Sequence, residues 1–475
     1  MDTPLCNPTL NRRDALRRTA CGFGSLALTG LLAERGMAAS NPLAAKAPQF
    51  PARAKRVIFI FMGGGPSHVD SFDYKPQLIR DHQKKIVYTG YRFDDRGKAV
   101  ERTMMKPLWE FQRHGDSGRW VSSLFPEIAK HVDDLCFLHS LHTDGVAHGP
   151  ATLVLHTGAM NTLRPSVGSW VSYGLGTENQ SMPGFVSINP PLRMGGPRNY
   201  GTAFLPAAYQ GTGIGHAERS AKEAQFRFIK NQRLSTDAQS RQFDLLQQLN
   251  RVQLEASEEK DAMEATINSF ELAFRMQREA PDVVDIEQES EATKALYGIG
   301  EATTDEFGRQ CLLARKMAES GVRYVQINYA DNTNNPKWDQ HSNLPAHAKH
   351  AKATDRPVAG LLKDLKARGL LEDTLVWWGA EFGRMPFSQN NDGRDHNPNG
   401  FTMWLAGGGV KPGFAYGATD EYGFRAIENK IHMHDMHATL LHLLGIDHER
   451  LTYRHAGRDF RLTDVYGHVV HDIMA

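Results

Sequence analysis

One apolar run constrains the fold more than any other feature of the sequence. Arg56–Met62 reads Arg-Val-Ile-Phe-Ile-Phe-Met, and Gly63, Gly64 and Gly65 follow it at once. A strand that is half exposed alternates polar and apolar residues, and this run does not alternate. It therefore predicts a strand buried on both faces of a parallel sheet, with a tight turn at its carboxyl end.

Other segments repeat this pattern and alternate with helical periodicity. Short apolar runs predict four more strands, at 134–140, 323–329, 374–378 and 401–406. Apolar residues at helical spacing, or a buried helix start after a proline, predict helices at 149–157, 305–319, 355–368 and 438–444. This alternation indicates an α/β fold, with a doubly wound and mostly parallel sheet flanked by helices. Residues 215–300 are rich in Glu, Lys, Gln and Arg and are interpreted as a helical insertion.

The composition excludes several classes of protein. Lys and Arg number 55 against 54 for Asp and Glu, so the formal charge of +1 lacks the strongly basic footprint of a general nucleic-acid binder. A hydrophobic fraction of 40% and an aromatic fraction of 9% argue against disorder. Cys136 and Cys311 are far apart in apolar runs, which favours two buried thiols over a disulfide and excludes a thiolate zinc site.

The N-terminus has the features of an export signal. Paired arginines at 12–13 and 17–18 precede an apolar, glycine-rich run at 22–33, and small residues follow at 38–40. We expect a twin-arginine signal peptide over 1–39, a linker over 40–55 and the α/β domain over 56–470. The run is too short to span a membrane comfortably, although an uncleaved anchor and an ordinary N-terminal helix remain alternatives. The expected location is periplasmic or extracellular, reached through the twin-arginine machinery.

Histidine and carboxylate side chains gather at the ends of the predicted strands. In an open α/β sheet, ligands bind outside the carboxyl ends of the strands. Mixed imidazole and carboxylate ligands suit a divalent metal, for which zinc, manganese, iron and calcium are candidates. Each Asp-x-His motif by itself also fits a capped turn. The candidate metal ligands are His68, Asp70, Asp339, His341, Glu381, Asp395 and His396.

A further histidine cluster lies at 432–437. Asp435 is placed to cap the helix that follows. His434 and His437 are interpreted as polar residues in the first turn of that helix. Ligand roles for these two histidines are the alternative.

Several motifs together resemble a known family. They are Gly-Gly-x-Ser-His-x-Asp from Gly64, His-Gly-Pro-Ala from His148, Trp-Asp-x-His from Trp338, Glu-Phe-Gly-Arg from Glu381 and Gly-Arg-Asp-His-Asn-Pro from Gly393. The chain resembles the exported, sulfatase-like proteins gathered as domain of unknown function family 1501. More distantly it is similar to the alkaline phosphatase–sulfatase superfamily, which implies an alkaline phosphatase/sulfatase-like sheet.

The resemblance implies roles for particular residues. Asp339, His341 and His396 would match the first metal site of phosphatase-type members. Glu381 stands where a second site would have its aspartate, but Phe382 replaces the histidine of that pair. Gly64 replaces the usual first-strand aspartate, so that His68 and Asp70 would have to substitute from the next loop.

The resemblance also bears on the reaction. His148 stands where sulfatases have the cysteine that becomes formylglycine, and Thr152 replaces the signature arginine, so a formylglycine mechanism is excluded. His148 could then be a nucleophile, a general acid or a ligand. Arg384 or Arg394 could clamp an anionic ester.

Two functions follow as expectations. The first is an exported metal-dependent hydrolase of sulfate or phosphate esters, with sulfated polysaccharide among its candidate substrates. The second is a catalytically altered relative that binds a sulfated glycan or a cell-surface component without turnover.

Overall fold

The structure is a computed structural model of the 475-residue chain. It describes most of the chain from residue 42 onward, with gaps that fall mainly between 225 and 282. The residues described are 42–89, 99–179, 181–224, 226, 234–256, 267, 270–272, 274–276, 280–281 and 283–475. The predicted signal peptide over 1–39 lies outside the described residues.

The described residues form a nine-stranded mixed sheet. Its strands are β1 (Arg56–Met62), β2 (Leu135–His142), β3 (Phe185–Ile188), β4 (Thr212–Ile214), β5 (Tyr324–Tyr329), β6 (Thr374–Gly379), β7 (Phe401–Ala406), β8 (Phe414–Tyr416) and β9 (Ile431–His432). The order across the sheet is β8-β2-β7-β6-β1-β5-β3-β4, and β9 also pairs with β2. All five strands expected from the sequence are present, and β1 and β7 have the predicted bounds.

Most neighbouring strands are parallel. β1 lies at the centre, parallel to both β5 and β6, and the run continues in parallel through β3 to β4. β7 is the exception, because it is antiparallel to β6 on one side and to β2 on the other. The residues before β7 therefore lie at the same edge of the sheet as the residues after β1, β2, β5 and β6.

Helices cover both faces of this sheet. The longer ones are α1 (His148–Thr157), α2 (Val167–Leu175), α3 (Thr236–Ala256), α4 (Asp305–Glu319), α5 (His347–Ala367) and α6 (Met433–Leu443). Two shorter α-helices are Pro76–Arg80 and Glu291–Leu296. The 3-10 turns are His68–Asp70, Ile128–Asp134, Gly196–Tyr200, Ala207–Tyr209, Ala221–Glu223, Ile286–Gln288, Leu344–Ala346, Leu371–Asp373 and His471–Ile473.

Five two-stranded ribbons complete the described secondary structure. They pair Lys85–Thr89 with Ala99–Thr103, Phe111–His114 with Arg119–Ser122, Gly383–Arg384 with His396–Asn397, Ala418–Thr419 with Ala426–Glu428, and Tyr453–His455 with Arg458–Phe460. The third of these ribbons contributes to the site described below.

The two faces of β1 explain its unbroken apolar run. Ile58, Ile60 and Met62 pack in a core with residues of α4 and α5. Val57, Phe59 and Phe61 pack on the opposite face, in a core with residues of α1, α2 and α6. Successive side chains of a strand point to opposite faces, so a central strand that is covered on both sides must be apolar throughout.

Three expectations need correction. Residues 42–55 are not a free linker: the backbone N–H groups of Lys46 and Arg53 donate to Leu175 and Leu443 at 2.8 and 2.9 Å. α5 begins at residue 347 rather than 355, so that Pro357 lies in its interior and not in its first turn. Asp435 is not the N-cap of α6. His432 is the N-cap, and Asp435 completes a capping box by accepting from the His432 N–H at 2.8 Å.

Two other features bear on earlier expectations. Cys136 and Cys311 are buried free thiols, as expected. Within the described parts of the predicted insertion, α3 is a helix of 21 residues. None of the helices built from described residues is long and apolar enough to cross a membrane.

Candidate metal centre

Four side chains converge at the carboxyl edge of the sheet. His148, Asp339, His341 and His396 each offer one potential ligand atom, and these atoms all lie within 4.8 Å of one another. Asp339 is central: its Oδ1 lies 2.8 Å from His341 Nε2 and 3.1 Å from His396 Nε2, and its Oδ2 lies 3.2 Å from His148 Nε2. His148 and Asp339 are buried, whereas His341 and His396 are partly exposed, so the cluster opens to solvent on one side.

The sheet topology brings these distant residues together. Asp339 and His341 follow the end of β5, and His148 begins α1 shortly after β2. His396 comes before β7, in the ribbon with Gly383–Arg384. Because β7 runs antiparallel, its start lies at the edge where β2 and β5 end. The four residues span 249 positions, from 148 to 396, and meet at one edge of the sheet.

The loop after β1 packs directly against the Asp339 backbone. Gly64 has φ +110°, and a Cβ atom there would lie 2.8 Å from the backbone nitrogens of Trp338 and Asp339. Glycine adopts this conformation without steric cost, and only glycine leaves room for the neighbouring backbone. An aspartate therefore does not fit at position 64, because the backbone of residues 338 and 339 occupies the space that its side chain would need.

Each histidine is oriented from behind by a hydrogen-bond acceptor. The Nδ1 atoms of His148 and His341 lie 2.6 Å from Glu381 Oε1 and Gln389 Oε1 respectively. His396 Nδ1 lies 2.9 Å from the Val146 carbonyl oxygen. The acceptor at each Nδ1 fixes the orientation of the ring, and when the proton lies at Nδ1 the Nε2 lone pair can bind a cation. All three Nε2 atoms face the Asp339 carboxylate.

Arg384 balances the charge of Asp339 in a buried position. Its Nη2 donates to Asp339 Oδ1 at 2.7 Å, and its other donors reach the Gly64, Gly65 and Arg394 carbonyl oxygens. Burial opposes ionisation of Asp339, but hydrogen bonds from the three histidines and the Arg384 charge outweigh it and hold the pKa of this carboxyl well below its usual range. All three guanidinium nitrogens donate to groups inside the protein and the side chain is fully buried, so it does not clamp an external ester.

The three histidines titrate differently. Burial lowers the pKa of His148, but hydrogen bonds to Asp339 and Glu381 outweigh burial and raise it overall. The hydrogen bond to Asp339 raises the pKa of His341 above its ordinary value. Burial lowers the pKa of His396 to about 4, against the opposing influence of Asp339. Without a cation, the rings of His148 and His341 hold protons more readily than the ring of His396.

Two of the predicted ligands lie just behind the cluster. Glu381 is 1% exposed and contacts His148 from its Nδ1 side, where its Oε1 also accepts from the Gly64 N–H at 2.9 Å. Asp395 Oδ1 accepts from the His396 N–H at 2.9 Å and lies 3.7 Å from His341 Nδ1. Both carboxylates orient histidines, and neither is among the four converging residues.

Three other predicted residues are used elsewhere. Asp70 pairs with Arg394 Nε at 2.7 Å, and both side chains are fully buried. The remaining Arg394 donors reach the Met385, Met105 and Lys106 carbonyl oxygens. His68 Nε2 lies 2.8 Å from the Gly423 carbonyl oxygen. His68 and Asp70 therefore do not replace the first-strand aspartate, and Arg394 is not placed to clamp an ester, because an internal ion pair and backbone oxygens occupy these groups.

The cluster at 432–437 is also separate from the four residues. His434 Nε2 and His437 Nε2 each lie 2.9 Å from a carbonyl oxygen near the end of α1, at Gly158 and Leu155. These contacts fasten α6 to α1. The polar-turn interpretation of this segment agrees with the geometry.

Two contributors to the site were not anticipated from the sequence. Gln389 orients His341, and the Val146 carbonyl orients His396. Gln389 lies in a polar loop with no motif around it, and a backbone carbonyl carries no residue-type signal. Neither could be identified without the fold.

The residues fit a divalent cation. His148 Nε2 is buried and faces Asp339 Oδ2 at 3.2 Å, and His341 Nε2 lies 3.0 Å from His396 Nε2. Bonds of about 2.0–2.1 Å to a tetrahedral cation separate ligand atoms by roughly 3.3 Å. The separations of 2.8–3.2 Å between these atoms are close to that value. The arrangement is that of a mixed imidazole and carboxylate ligand set.

The fold is similar to several solved structures at very low sequence identity. One is the lipoteichoic acid synthase LtaP from Listeria monocytogenes, with 8% identity, a TM-score of 0.38, and coverage of 90% of this chain and 80% of that chain. A second is the PsFucS1 sulfatase from Pseudoalteromonas sp., with 12% identity, a TM-score of 0.35, and coverage of 84% and 69%.

A third is a protein in the alkaline phosphatase superfamily from Vibrio parahaemolyticus, with 9% identity, a TM-score of 0.34, and coverage of 85% and 69%. No curated protein matches the sequence. A family model described as protein of unknown function (DUF1501) matches residues 54–474, which is nearly all of the described chain. The chain therefore belongs to the DUF1501 family.

Proposed function

We propose that His148, Asp339, His341 and His396 bind one divalent metal ion, and that the protein is an exported metal-dependent hydrolase of sulfate or phosphate esters. One observation carries the proposal: three histidines, each with an acceptor at Nδ1, direct their Nε2 atoms at one buried carboxylate. Three Nε2 atoms around one carboxylate form a position that suits a cation.

The ligand set favours some metals over others. Three imidazole nitrogens and one carboxylate suit zinc, manganese or iron, whereas calcium prefers oxygen ligands. Four protein ligands fill a tetrahedral shell, and a catalytic site needs an open position. Turnover therefore favours an ion that accepts five or six ligands. The added positions would lie on the side of His341 and His396, where the cluster is exposed.

Side chains around the four ligands would hold them in position for a metal ion. A divalent cation held here would act as a Lewis acid on an ester oxygen and lower the pKa of water toward neutrality. Glu381 holds the Nδ1 proton of His148, and Arg384 keeps the Asp339 carboxylate ionised and in place. His148 then serves as a ligand rather than as a nucleophile, because its Nε2 faces Asp339 and its Nδ1 faces Glu381.

We propose a single ion and not a pair. A second site would require an aspartate after β1 and a histidine after Glu381, and the chain has Gly64 and Phe382 there. Neighbouring backbone fills the space that a side chain at 64 would need.

A second candidate function is binding of a sulfated glycan or a cell-surface component without turnover. One specific observation favours it: Arg384 and Arg394 are both fully buried, and every nitrogen of their guanidinium groups donates to a group inside the protein. Neither arginine is free to hold the leaving group or the transferred group of an ester.

Metal analysis combined with ester assays tests both functions. Protein purified without chelators should hold one divalent ion per chain and hydrolyse aryl sulfates or aryl phosphates, and Asp339→Ala should lose both properties. Glu372→Gln, at an exposed position away from the four ligands, is the control and should keep both properties. Metal without turnover would support the binding function, and a metal-free wild-type protein would contradict the site.

Export is part of the proposal and rests on the paired arginines at 12–13 and 17–18. Replacing Arg12 and Arg13 with lysine should retain the precursor in the cytoplasm, as cell fractionation and immunoblotting would detect. An unchanged distribution would contradict twin-arginine export.

A further inference from the structure

A polar cavity of about 340 Å³ lies beside the metal centre, at the same edge of the sheet. Asn189 follows β3, Asn328 and Ala330 mark the end of β5, and α4 contributes Gln310 to the opposite wall. The volume falls within the range of small-molecule sites. The cavity therefore has the size and the position of a ligand site.

A single turn connects this cavity to the metal centre. The Asp339 N–H donates to the Pro336 carbonyl oxygen at 2.7 Å, which closes a β-turn with Lys337 as its second residue. Asp339 faces the metal cluster, whereas Lys337 lines the cavity. One turn of the chain thus contributes a residue to the cavity and a residue to the metal cluster.

The cavity contains buried polar groups that lack partners. Gln310 is 7% exposed and Asn189 is 2% exposed, and neither Gln310 Oε1 nor Asn189 Oδ1 finds a hydrogen-bond donor among the residues described. Leaving such groups unsatisfied costs free energy, so a buried amide without a partner indicates a missing ligand or water.

Lys337 adds a hydrogen-bond donor to the same cavity. Its Nζ lies 4.2 Å from the centre of the Tyr329 ring. No carboxylate lies within ion-pair distance of it in the part of the chain that the structure describes. Its three N–H donors are therefore available to a ligand.

The charges of the lining identify the class of ligand. Lys337 and Arg219 contribute two positive charges, and Glu218 and Glu306 contribute two negative charges. Both Glu306 oxygens already accept, from Ser220 Oγ at 2.8 Å and from the Ala221 N–H at 2.6 Å. A cavity with balanced charge, amide acceptors and an ammonium donor suits a neutral group with several hydroxyls, because a hydroxyl both donates and accepts.

We infer that this cavity binds an uncharged sugar unit of a saccharide whose ester group lies at the metal centre. The link to an ester rests on the proposed function, whereas binding of the sugar is measured separately. The hydroxyls would donate to the amide oxygens of Gln310 and Asn189 and accept from Lys337.

An array of immobilised neutral and sulfated oligosaccharides provides the test. The wild-type protein should bind members of the array, and Lys337→Met should lower that binding by about tenfold or more. Methionine keeps an unbranched chain over Tyr329 but removes the ammonium. Lys337→Arg restores donors and should retain most of the signal.

Gln310→Leu separates a ligand role from a structural one. Because the Gln310 amide oxygen has no partner within the described structure, leucine should leave the melting temperature unchanged or raise it while glycan binding falls. A lowered melting temperature together with lower binding would indicate a structural role and overturn the inference.

The remaining outcomes are also decisive. No binding by the wild-type protein to any oligosaccharide, or equal binding by wild type and Lys337→Met, would overturn the inference. Asp339→Ala should lose metal but retain the array signal. A wild-type protein that binds glycans through Lys337 but contains no metal would contradict the proposed function and leave the sugar site standing.

Discussion

The Nε2 atoms of His341 and His396 lie 3.0 Å apart, while each Nδ1 faces an acceptor. If both rings carried their proton at Nδ1, two lone pairs would meet at this distance, which is repulsive. A proton or a cation between them removes the repulsion. The hydrogen bond to Asp339 raises the pKa of His341, and burial lowers that of His396 to about 4, so without a cation His341 is the more readily protonated of the two.

Metal binding should therefore release protons. The pKa values of His148 and His341 are raised, so protons compete with a metal ion for both rings even at a pH near the ordinary pKa of histidine. Affinity for Zn²⁺ or Mn²⁺ should rise with pH, by about tenfold per pH unit for each proton released. Calorimetric titration in buffers of different ionisation enthalpy counts these protons. An affinity that stays constant between pH 6 and 8 would contradict the assignment.

Glu381 should support metal binding without contacting the metal. Glu381→Gln removes the negative charge behind His148 Nδ1, so we expect metal affinity to fall by about tenfold, within the usual range for groups that orient a ligand. Competition with a chromophoric chelator measures the change. Glu372→Gln, at an exposed position, is the control and should match the wild type. Complete loss of metal would instead indicate that Glu381 is a direct ligand.

Restoring the missing aspartate should harm the protein. Gly64→Asp places a Cβ 2.8 Å from two backbone nitrogens at φ +110°, so we expect a loss of stability of about 2–4 kcal/mol and no second metal. Thermal unfolding and metal stoichiometry check this. Gly149→Ala is the control, because nothing lies within 4 Å of the added atom inside α1. Alanine there should be neutral or stabilising. Two ions bound to a stable Gly64→Asp protein would disprove the packing argument.

Arg394 should matter for stability and not for the metal. Arg394→Met leaves Asp70 as an unpaired buried charge, which costs about 3–5 kcal/mol. The metal content of the folded fraction should not change, since the Arg394 guanidinium contacts none of the four ligands. Denaturant unfolding and metal analysis of the same sample provide both readouts. Loss of metal at unchanged stability would place Arg394 in the site after all.

The protein should lose stability in mild acid. Burial lowers the pKa of His68 and His156 to about 4 and that of His437 to about 3. These neutral rings contribute stability that is fully present above about pH 6.5 and is lost as pH falls toward the folded-state pKa values. Three such groups give a slope of up to about 4 kcal/mol per pH unit.

Denaturant midpoints at pH 7, 6 and 5 measure this slope. The Asp339→Ala background keeps metal release from contributing to it. In that background, adding His437→Gln should reduce the slope by about 1.4 kcal/mol per pH unit. Equal midpoints at pH 7 and pH 5 would show that these histidines are not held neutral by the fold.

Local sequence patterns were enough to predict the sheet and to identify side chains from which a site could be built. The apolar run of β1 predicted a strand covered on both faces because both cores need its side chains, and the bounds of β1 and β7 follow from local hydrophobicity. Asp339, His341 and His396 were identifiable because carboxylates and imidazoles at strand ends are an uncommon combination. These signals are short-range, and a sequence displays them directly.

Which of these groups come into contact depends on how the whole chain folds. The antiparallel direction of β7 brings His396 to the edge where β5 ends, and no local pattern specifies that direction. Carboxylates that look alike in the sequence also have different roles, because their neighbours in the interior differ. Asp70 and Arg394 neutralise each other in the interior, whereas Asp339 keeps three histidines around it. A side chain's chemistry depends on the charges and acceptors within a few ångströms of it, and here those neighbours come from distant parts of the chain.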